Sequence, residues 1–310
     1  MHNIAVFGAS GLVGSAIANI LNTEKNFRSY YPTHNSYDLT KRQDIDIFFS
    51  TEKIDTVIMC AGKVGGIFAN MNDPYGFLLE NVQMTVNVIE SSRRNKIPNL
   101  IYLSSSCVYP RNNRQPMCET DLLTGSFEPT NEGYALAKTV GVKMVEYLYT
   151  KQNMNYVSLL PCNIYGPNDN WTESGHVMTA LIKNIHSSMQ KNEKSITIRG
   201  TGNARREFLH SYDLADAVVH ILKKMHEDRL PYHTINVGSG SDYSISQYAR
   251  MIADHLEYNV SINTDSSYPD GMPQKLLDVS RIHELGWNHN ISIGEGIDEM
   301  IMEYENGISK

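Results

Sequence analysis

Residues 3–14 read NIAVFGASGLVG. An apolar run from Ile4 to Phe7 ends at Gly8, and Gly11 and Gly14 follow at three-residue spacing. Beyond them Val13, Ala16, Ile17, Ile20 and Leu21 share one face of a 3.6-residue period, which predicts a helix over 11–22. A strand, a glycine turn and a helix in this order suit a dinucleotide. The glycines let the backbone turn tightly and approach a pyrophosphate, which then sits at the positive end of the helix. Without that strand and helix the stretch is an ordinary glycine turn. With them, Gly8, Ser10, Gly11, Leu12, Val13 and Gly14 are expected to line the cofactor.

Outward from this turn, 55–60 (DTVIMC), 99–104 (NLIYLS) and 156–160 (YVSLL) read as further buried strands, with helices expected through 75–96 and 133–152. Such alternation predicts a Rossmann-type, doubly wound parallel sheet with helices on both faces. After Pro161 the regularity falls. Residues 166–205 are rich in Gly, Asn, Pro, Thr and charge, with one helical stretch near 176–190. Helical patterns return at 213–225 and at 242–257, the latter opened by Ser244. The expected division is a dinucleotide-binding domain from 1–166 and 206–238 and a smaller mixed α/β substrate domain from 167–205 and 239–310.

Composition narrows the function classes. A net charge of -7 over 310 residues disfavours nucleic acid or an anionic membrane surface as partner. No run approaches the ~18 apolar residues of a membrane span. The N-terminus lacks a basic flank and a small-residue cleavage site, and so reads as a strand. Cys60, Cys107, Cys118 and Cys162 match neither a zinc pattern nor a secreted disulfide framework. That predicts no metal site and a reducing, cytoplasmic compartment.

Tyr134 and Lys138 stand four apart on the helix expected over 133–152, which places both on one face. An ammonium beside a phenol favours the phenolate, so Lys138 is expected to lower the Tyr134 pKa from its usual ~10. That suits Tyr134 as the acid for a carbonyl/alcohol pair. Ser105 ends a strand about thirty residues earlier, where it can bond the same carbonyl oxygen. YxxxK alone is common by chance; the glycine turn and the strand-end serine give it weight. NAD usage calls for an acid at the end of the second strand, and FRSYYPTHNSYDL at 27–39 has none there. Arg28 is the one nearby cation, while Ser10, Thr33, His34 and Asn35 suit either cofactor. The balance falls to NADPH, with NADH left open. Asp38 and Leu39 are expected to flank the adenine, Asp38 being otherwise a plain turn carboxylate.

The segments GASGLVG, SSSCVYP, YALAK and REFLHSYDLADAV, with Asn81, resemble the extended short-chain dehydrogenase/reductase family. Within it the chain most resembles the GDP-L-fucose synthase branch, the GDP-4-keto-6-deoxymannose epimerase/reductases. The matching segments are AGKVGGI at 61–67, SSCVYP at 105–110, QPMCETDLLTG at 115–125, EPTNEGYALAK at 128–138, NIYGPNDN at 163–170, SGHV at 174–177 and PDGMPQKLLDVSRIHELGW at 269–287. The resemblance implies a GDP-linked 4-keto sugar as substrate and C4 reduction by Ser105, Tyr134 and Lys138. It further implies Cys107 as base and His176 as acid for inversion at C3 and C5. Ala61, Gly62, Lys63, Pro161, Asn163 and Ile164 are expected along the cofactor. Ser106, Asn163, Val177, Arg199, Arg206 and Lys275 are expected on the nucleotide sugar, with Arg206 and Lys275 toward its diphosphate. Members of the family dimerise through helices matching 75–96 and 133–152, which implies a homodimer.

Departures from the branch keep other readings open. Ser10 and His34 stand where it carries arginines for the 2′-phosphate, and Arg199 stands where it carries a tryptophan before Gly200 and Gly202. A guanidinium plane can also stack on a base, but the altered pocket leaves room for another sugar. One alternative is therefore a pure C4 reductase of a GDP-4-keto-heptose that retains Cys107 and His176 without using them. A 4,6-dehydratase would carry an acid pair where Ser106 and Cys107 stand. A non-catalytic dinucleotide sensor would have no need of an intact Ser105, Tyr134 and Lys138.

Overall fold

The computed structural model describes residues 1–172 and 175–308. Its first half runs β1 (His2–Phe7), α1 (Leu12–Leu21), β2 (Phe27–Tyr30), α2 (Arg42–Thr51), β3 (Thr56–Met59), α3 (Ile67–Asn72), α4 (Pro74–Arg94), β4 (Asn99–Leu103), α5 (Glu132–Gln152) and β5 (Asn155–Pro161). The second half runs β6 (Asn163–Tyr165), α6 (Val177–Gln190), β7 (Ser195–Arg199), β8 (Arg205–His210), α7 (Ser211–Glu227) and β9 (Thr234–Val237). It ends with β10 (Asp242–Ser244), α8 (Ile245–His255), β11 (Ser261–Asp265), β12 (Gln274–Lys275), α9 (Ser280–Glu284) and α10 (Ile293–Ile308).

Six strands form one parallel sheet in the order β2-β1-β3-β4-β5-β9. Helices cover both its faces, so β3 and β4 are buried at every position and β1 from Ile4 to Phe7. Their apolar runs follow from that two-sided burial, and each fully buried branched side chain contributes about 1.5–3 kcal/mol. The chain leaves β1 toward β2 on one side and returns to β3 on the other. A crevice opens at such a switch point, beyond the carboxyl ends of the strands. The glycine turn follows β1 at that end, and Ala61–Lys63 follow β3.

Helix α5 lies against α4 and β4. A Cβ on Gly141 would fall inside the Tyr102 ring, so only glycine lets α5 come this close to β4. That approach brings Tyr134 and Lys138 beside the end of β4.

A second sheet has the order β10-β8-β12, with β6 pairing parallel to the later part of β8, Phe208–His210. Its apolar cluster includes Tyr165, Met178, Ile182, Phe208, Tyr248 and Met300. Two stretches pack differently from the division expected from sequence. Leu277, Ile282 and Trp287 join the first core, whereas Phe208 joins the second. Sequence spacing cannot show this, because both stretches are short and their partners are remote along the chain. The helix expected over 242–257 begins after Ser244, whose hydroxyl accepts the Gln247 N–H while Gln247 accepts the Ser244 N–H, a capping box.

Candidate active site

At the glycine turn, Gly8 has φ +92, and a Cβ there would meet the Ala61 backbone nitrogen at 2.6 Å. A Cβ on Gly14 would overlap the Gly8 carbonyl oxygen. The two residues thus seat α1 directly on the end of β1. Gly11 caps α1 without a side-chain bond, and the first turn of α1 holds no acid. A Cβ on Gly11 would meet only the Gly8 oxygen, at 3.7 Å. Uncapped N–H groups at a helix start with open space before them fit a dinucleotide phosphate. Ser10 is exposed on this turn and His34 on the loop after β2.

Asp38 turns inward on its own loop. Its carboxylate accepts from the Thr40 N–H and hydroxyl at 3.0 and 2.7 Å and pairs with Lys41 at 3.3 Å. The Thr40 bonds first, and then Lys41, hold it below the usual carboxylate range. Leu39 is buried in the first core, and its carbonyl accepts from Asn87 at 3.0 Å.

Asn81 of α4 ties down the loop after β3. Its side chain accepts the Lys63 N–H at 2.9 Å and donates to the Lys63 carbonyl at 3.0 Å. The Lys63 ammonium is taken by Asp73 at 2.8 Å and Glu80 at 2.6 Å. Gly62 faces Lys138: a Cβ there would lie 3.5 Å from Nζ.

Lys138 is 4% exposed, and its ammonium donates to the Leu103 carbonyl at 2.8 Å. Burial draws its pKa down to about 8. The Tyr134 ring lies 5.8 Å from that ammonium. The lowered phenol pKa expected from the sequence is not what the structure produces. Burial raises it, with Cys107 and Tyr102 adding to the rise and the Ser105 hydroxyl opposing it. Lys138 is held by a carbonyl and is itself desolvated, so loss of water around the phenol dominates. Tyr134 therefore stays protonated at neutral pH, the form a proton donor needs.

Ser105 caps the short turn Ser106–Val108, its Oγ accepting the Cys107 N–H at 3.2 Å. Ser106 is buried in that turn. The Cys107 sulfur accepts from Asn131 Nδ2 at 3.2 Å and from Lys275 Nζ at 3.3 Å. Burial would raise this thiol, but the Lys275 charge and the bonds from Ser105, Lys275 and Asn131 outweigh it and bring the pKa below the ordinary value. Lys275 of β12 sits opposite Arg206 of β8. Both are 9% exposed, and Arg206 donates to the carbonyls of Arg205 and Asp270 at 2.7 and 2.8 Å. Further along β8, Asn163 is paired with Phe208 and Ile164 with Leu209. Pro161 ends β5 just before them.

His176 stands at the start of α6, next to Val177, and its Nδ1 lies 2.8 Å from an Asp169 oxygen. That bond raises the imidazole pKa against the opposing effect of burial. Ser174 of the SGHV segment lies outside the described residues. Arg199 ends β7 with its guanidinium over two rings, Phe68 at 5.4 Å and Tyr268 at 5.1 Å.

Residues 4–238 match the model of the NAD dependent epimerase/dehydratase family. The chain belongs to that family. Among similar epimerase/dehydratase relatives is the GDP-L-fucose synthase of Escherichia coli, 39% identical over 302 residues, covering 96% of this chain and 94% of that protein. Another is the GDP-L-colitose synthase of Yersinia pseudotuberculosis, 36% identical, covering 98% of each. The structure of a GDP-mannoheptose C4 reductase from Campylobacter jejuni with NADP bound superposes with a TM-score of 0.88 at 27% identity, covering 98% of each chain. The enzyme is thus an oxidoreductase of the epimerase/dehydratase type that uses a nicotinamide dinucleotide.

In this candidate site the structure brings Ser105, Cys107, Tyr134, Lys138 and Lys275 together from the turn after β4, α5 and β12. It sends the Lys63 ammonium and the Asp38 carboxylate to partners of their own. Two partners of the reactive side chains escape a sequence reading, Asn131 and Asp169. Asn131 stands three residues before Tyr134, and Asp169 seven before His176, within quoted segments. Neither residue type signals chemistry until its contact is seen.

Proposed function

We propose that this enzyme reduces the C4 ketone of a GDP-4-keto-6-deoxyhexose with NADPH, after inverting C3 and C5 in the same site. The observation that carries the reading is the position of Ser105. Its hydroxyl is bound by the Cys107 N–H and acts on the Tyr134 phenol. The acid for C4 and the base for its neighbouring carbons thus serve one ketone.

A C4 ketone acidifies the hydrogens on C3 and C5, because the carbanion left behind is an enolate. Cys107, held toward thiolate by Lys275, takes that proton, and His176 returns one to the opposite face. A nicotinamide cofactor, when bound, would supply the hydride for C4. Tyr134 gives its phenolic proton to the C4 oxygen, which Ser105 orients. Lys138, fixed by the Leu103 carbonyl, holds the Tyr134 face of α5 against the end of β4, with its ammonium facing Gly62. Gly8, Gly11, Gly14 and the start of α1 would hold the pyrophosphate. Ser10 and His34 are the groups available for the 2′-phosphate.

Arg206 is a buried guanidinium bonded to neutral carbonyls, which suits the substrate diphosphate. Lys275 serves Cys107 as well as that charge. The likeness to a GDP-mannoheptose C4 reductase and Arg199 in place of the branch tryptophan favour a second reading, pure C4 reduction of a GDP-4-keto-heptose. Tyr75, Leu79, Leu136, Val140 and Tyr147 leave exposed apolar surface on α4 and α5, which supports a homodimer across these helices. Free thiols suit the cytoplasm. In this reading the first core carries the cofactor and the second the sugar, with Leu277, Ile282 and Trp287 counted with the first and Phe208 with the second.

The test is turnover of purified GDP-4-keto-6-deoxymannose and GDP-4-keto-heptose with NADPH in heavy water. Deuterium at C3 and C5 of a reduced hexose supports the first reading. Reduction without deuterium moves the enzyme to the second, and no NADPH oxidation with either sugar overturns both.

A further inference from the structure

His176 is exposed enough to meet a substrate, with 34% of its side chain accessible, whereas the Asp169 side chain beside it is 1% accessible. One Asp169 oxygen meets His176 Nδ1 at 2.8 Å and also accepts the Asn170 N–H at 2.7 Å. The other is buried without a hydrogen-bond partner among the described residues. The loop carrying Asp169 is braced from α10, where Glu303 accepts the Asn168 N–H at 2.8 Å. Other α10 carboxylates nearby are engaged, Glu299 with His210 at 3.1 Å and Glu305 with His186 at 3.4 Å. Among the described residues, Asp169 is the charged group that acts on His176.

A buried carboxylate lowers its free energy by taking a hydrogen bond from a cation. An imidazole whose Nδ1 hydrogen is held this way keeps one tautomer and one ring orientation. We propose that Asp169 is the positioning residue for proton donation by His176. Its carboxylate takes the Nδ1 hydrogen and so presents Nε2–H to the sugar. The inference rests on the epimerase reading and deepens it. Charge balance follows on both sides of the reaction: Lys275 offsets the thiolate that accepts a proton, and Asp169 offsets the imidazolium that gives one. After donation the neutral ring retains its Nδ1 hydrogen, and solvent restores the proton to Nε2.

The test uses the full chain with nitrogen-labelled histidine, His176→Gln serving to assign the signal. Wild type should show a neutral His176 protonated on Nδ1 and a titration above the usual ~6.5. Asp169→Asn should titrate lower, slow deuterium incorporation at C3 and C5 by at least ~10-fold, and draw the alkaline limb of that exchange to lower pH. Asp169→Glu, which restores the charge, should recover part of the rate. An Nε2-protonated neutral ring in wild type, or equal titration in wild type and Asp169→Asn, overturns the assignment. The tautomer is read on wild type, so the outcome does not hinge on a variant folding. Absence of exchange in wild type would overturn the epimerase reading alone, since the titration still decides the role of Asp169.

Discussion

The Lys275 ammonium lies 3.3 Å from the Cys107 sulfur. The two stand 168 residues apart in the chain. The contact favours the thiolate of a partly buried thiol, the form the proposed base needs. Lys275→Met should therefore let burial dominate and raise the Cys107 pKa. Alkylation of Cys107 by iodoacetamide at pH 7 should slow by ~10-fold or more, because the thiolate is the nucleophile. Its rise with pH should move to higher pH. An unchanged alkylation profile would remove Lys275 from this role.

In the proposed mechanism reduction and inversion use different side chains, so they should separate. Tyr134→Phe should lower NADPH oxidation by ~10²–10⁴-fold, yet still incorporate deuterium into the 4-keto sugar. Cys107→Ser should lose that exchange and still reduce, more slowly, a 4-keto sugar already inverted at C3 and C5. Loss of both activities in both variants would refute the division. Rapid-quench NMR of each mixture reads the two outcomes together.

Lys138 carries a pKa drawn down to about 8 by burial. Its ammonium is present below that pH and is lost as pH rises through it. NADPH oxidation should fall on the alkaline side near pH 8, and Lys138→Arg, which stays charged, should flatten that limb at a lower plateau. A rate that holds steady to pH 10 in wild type would exclude this assignment.

Cofactor choice rests on few contacts. Ser10 is exposed on the turn before α1, and an arginine there can meet a 2′-phosphate with charge-assisted bonds. Ser10→Arg should favour NADPH over NADH by ~10-fold more than wild type, read as the ratio of kcat/KM values. No change in the ratio would place the 2′-phosphate elsewhere.

The turn itself tolerates no side chain at its third glycine. A Cβ on Gly14 would overlap the Gly8 carbonyl, backbone against backbone. Gly14→Ala should lower stability by ~1–3 kcal/mol and weaken NADPH binding, measured by thermal unfolding and fluorescence titration. Gly11→Ala, where the nearest atom is 3.7 Å away, should unfold at nearly the wild-type temperature while still weakening binding. Equal stability loss in the two variants would contradict the packing described.

From its sequence alone the chain declares a parallel sheet, a dinucleotide turn and a Ser105, Tyr134, Lys138 set. These are local: β-strand runs, glycine spacing and a four-residue helical repeat each express a physical requirement within about ten residues. Ser244, which opens α8, is legible for the same reason. The charge state of the site is not local. Tyr134 holds its proton because several elements together exclude water, against the lowering that Lys138 at four-residue spacing predicts. Cys107 tends to thiolate because β12 brings Lys275 across to it, and His176 tends to imidazolium because a buried Asp169 faces it. The side chains proposed to react are thus named in the sequence, while burial and long-range pairing, which only the folded chain supplies, decide which of them hold protons.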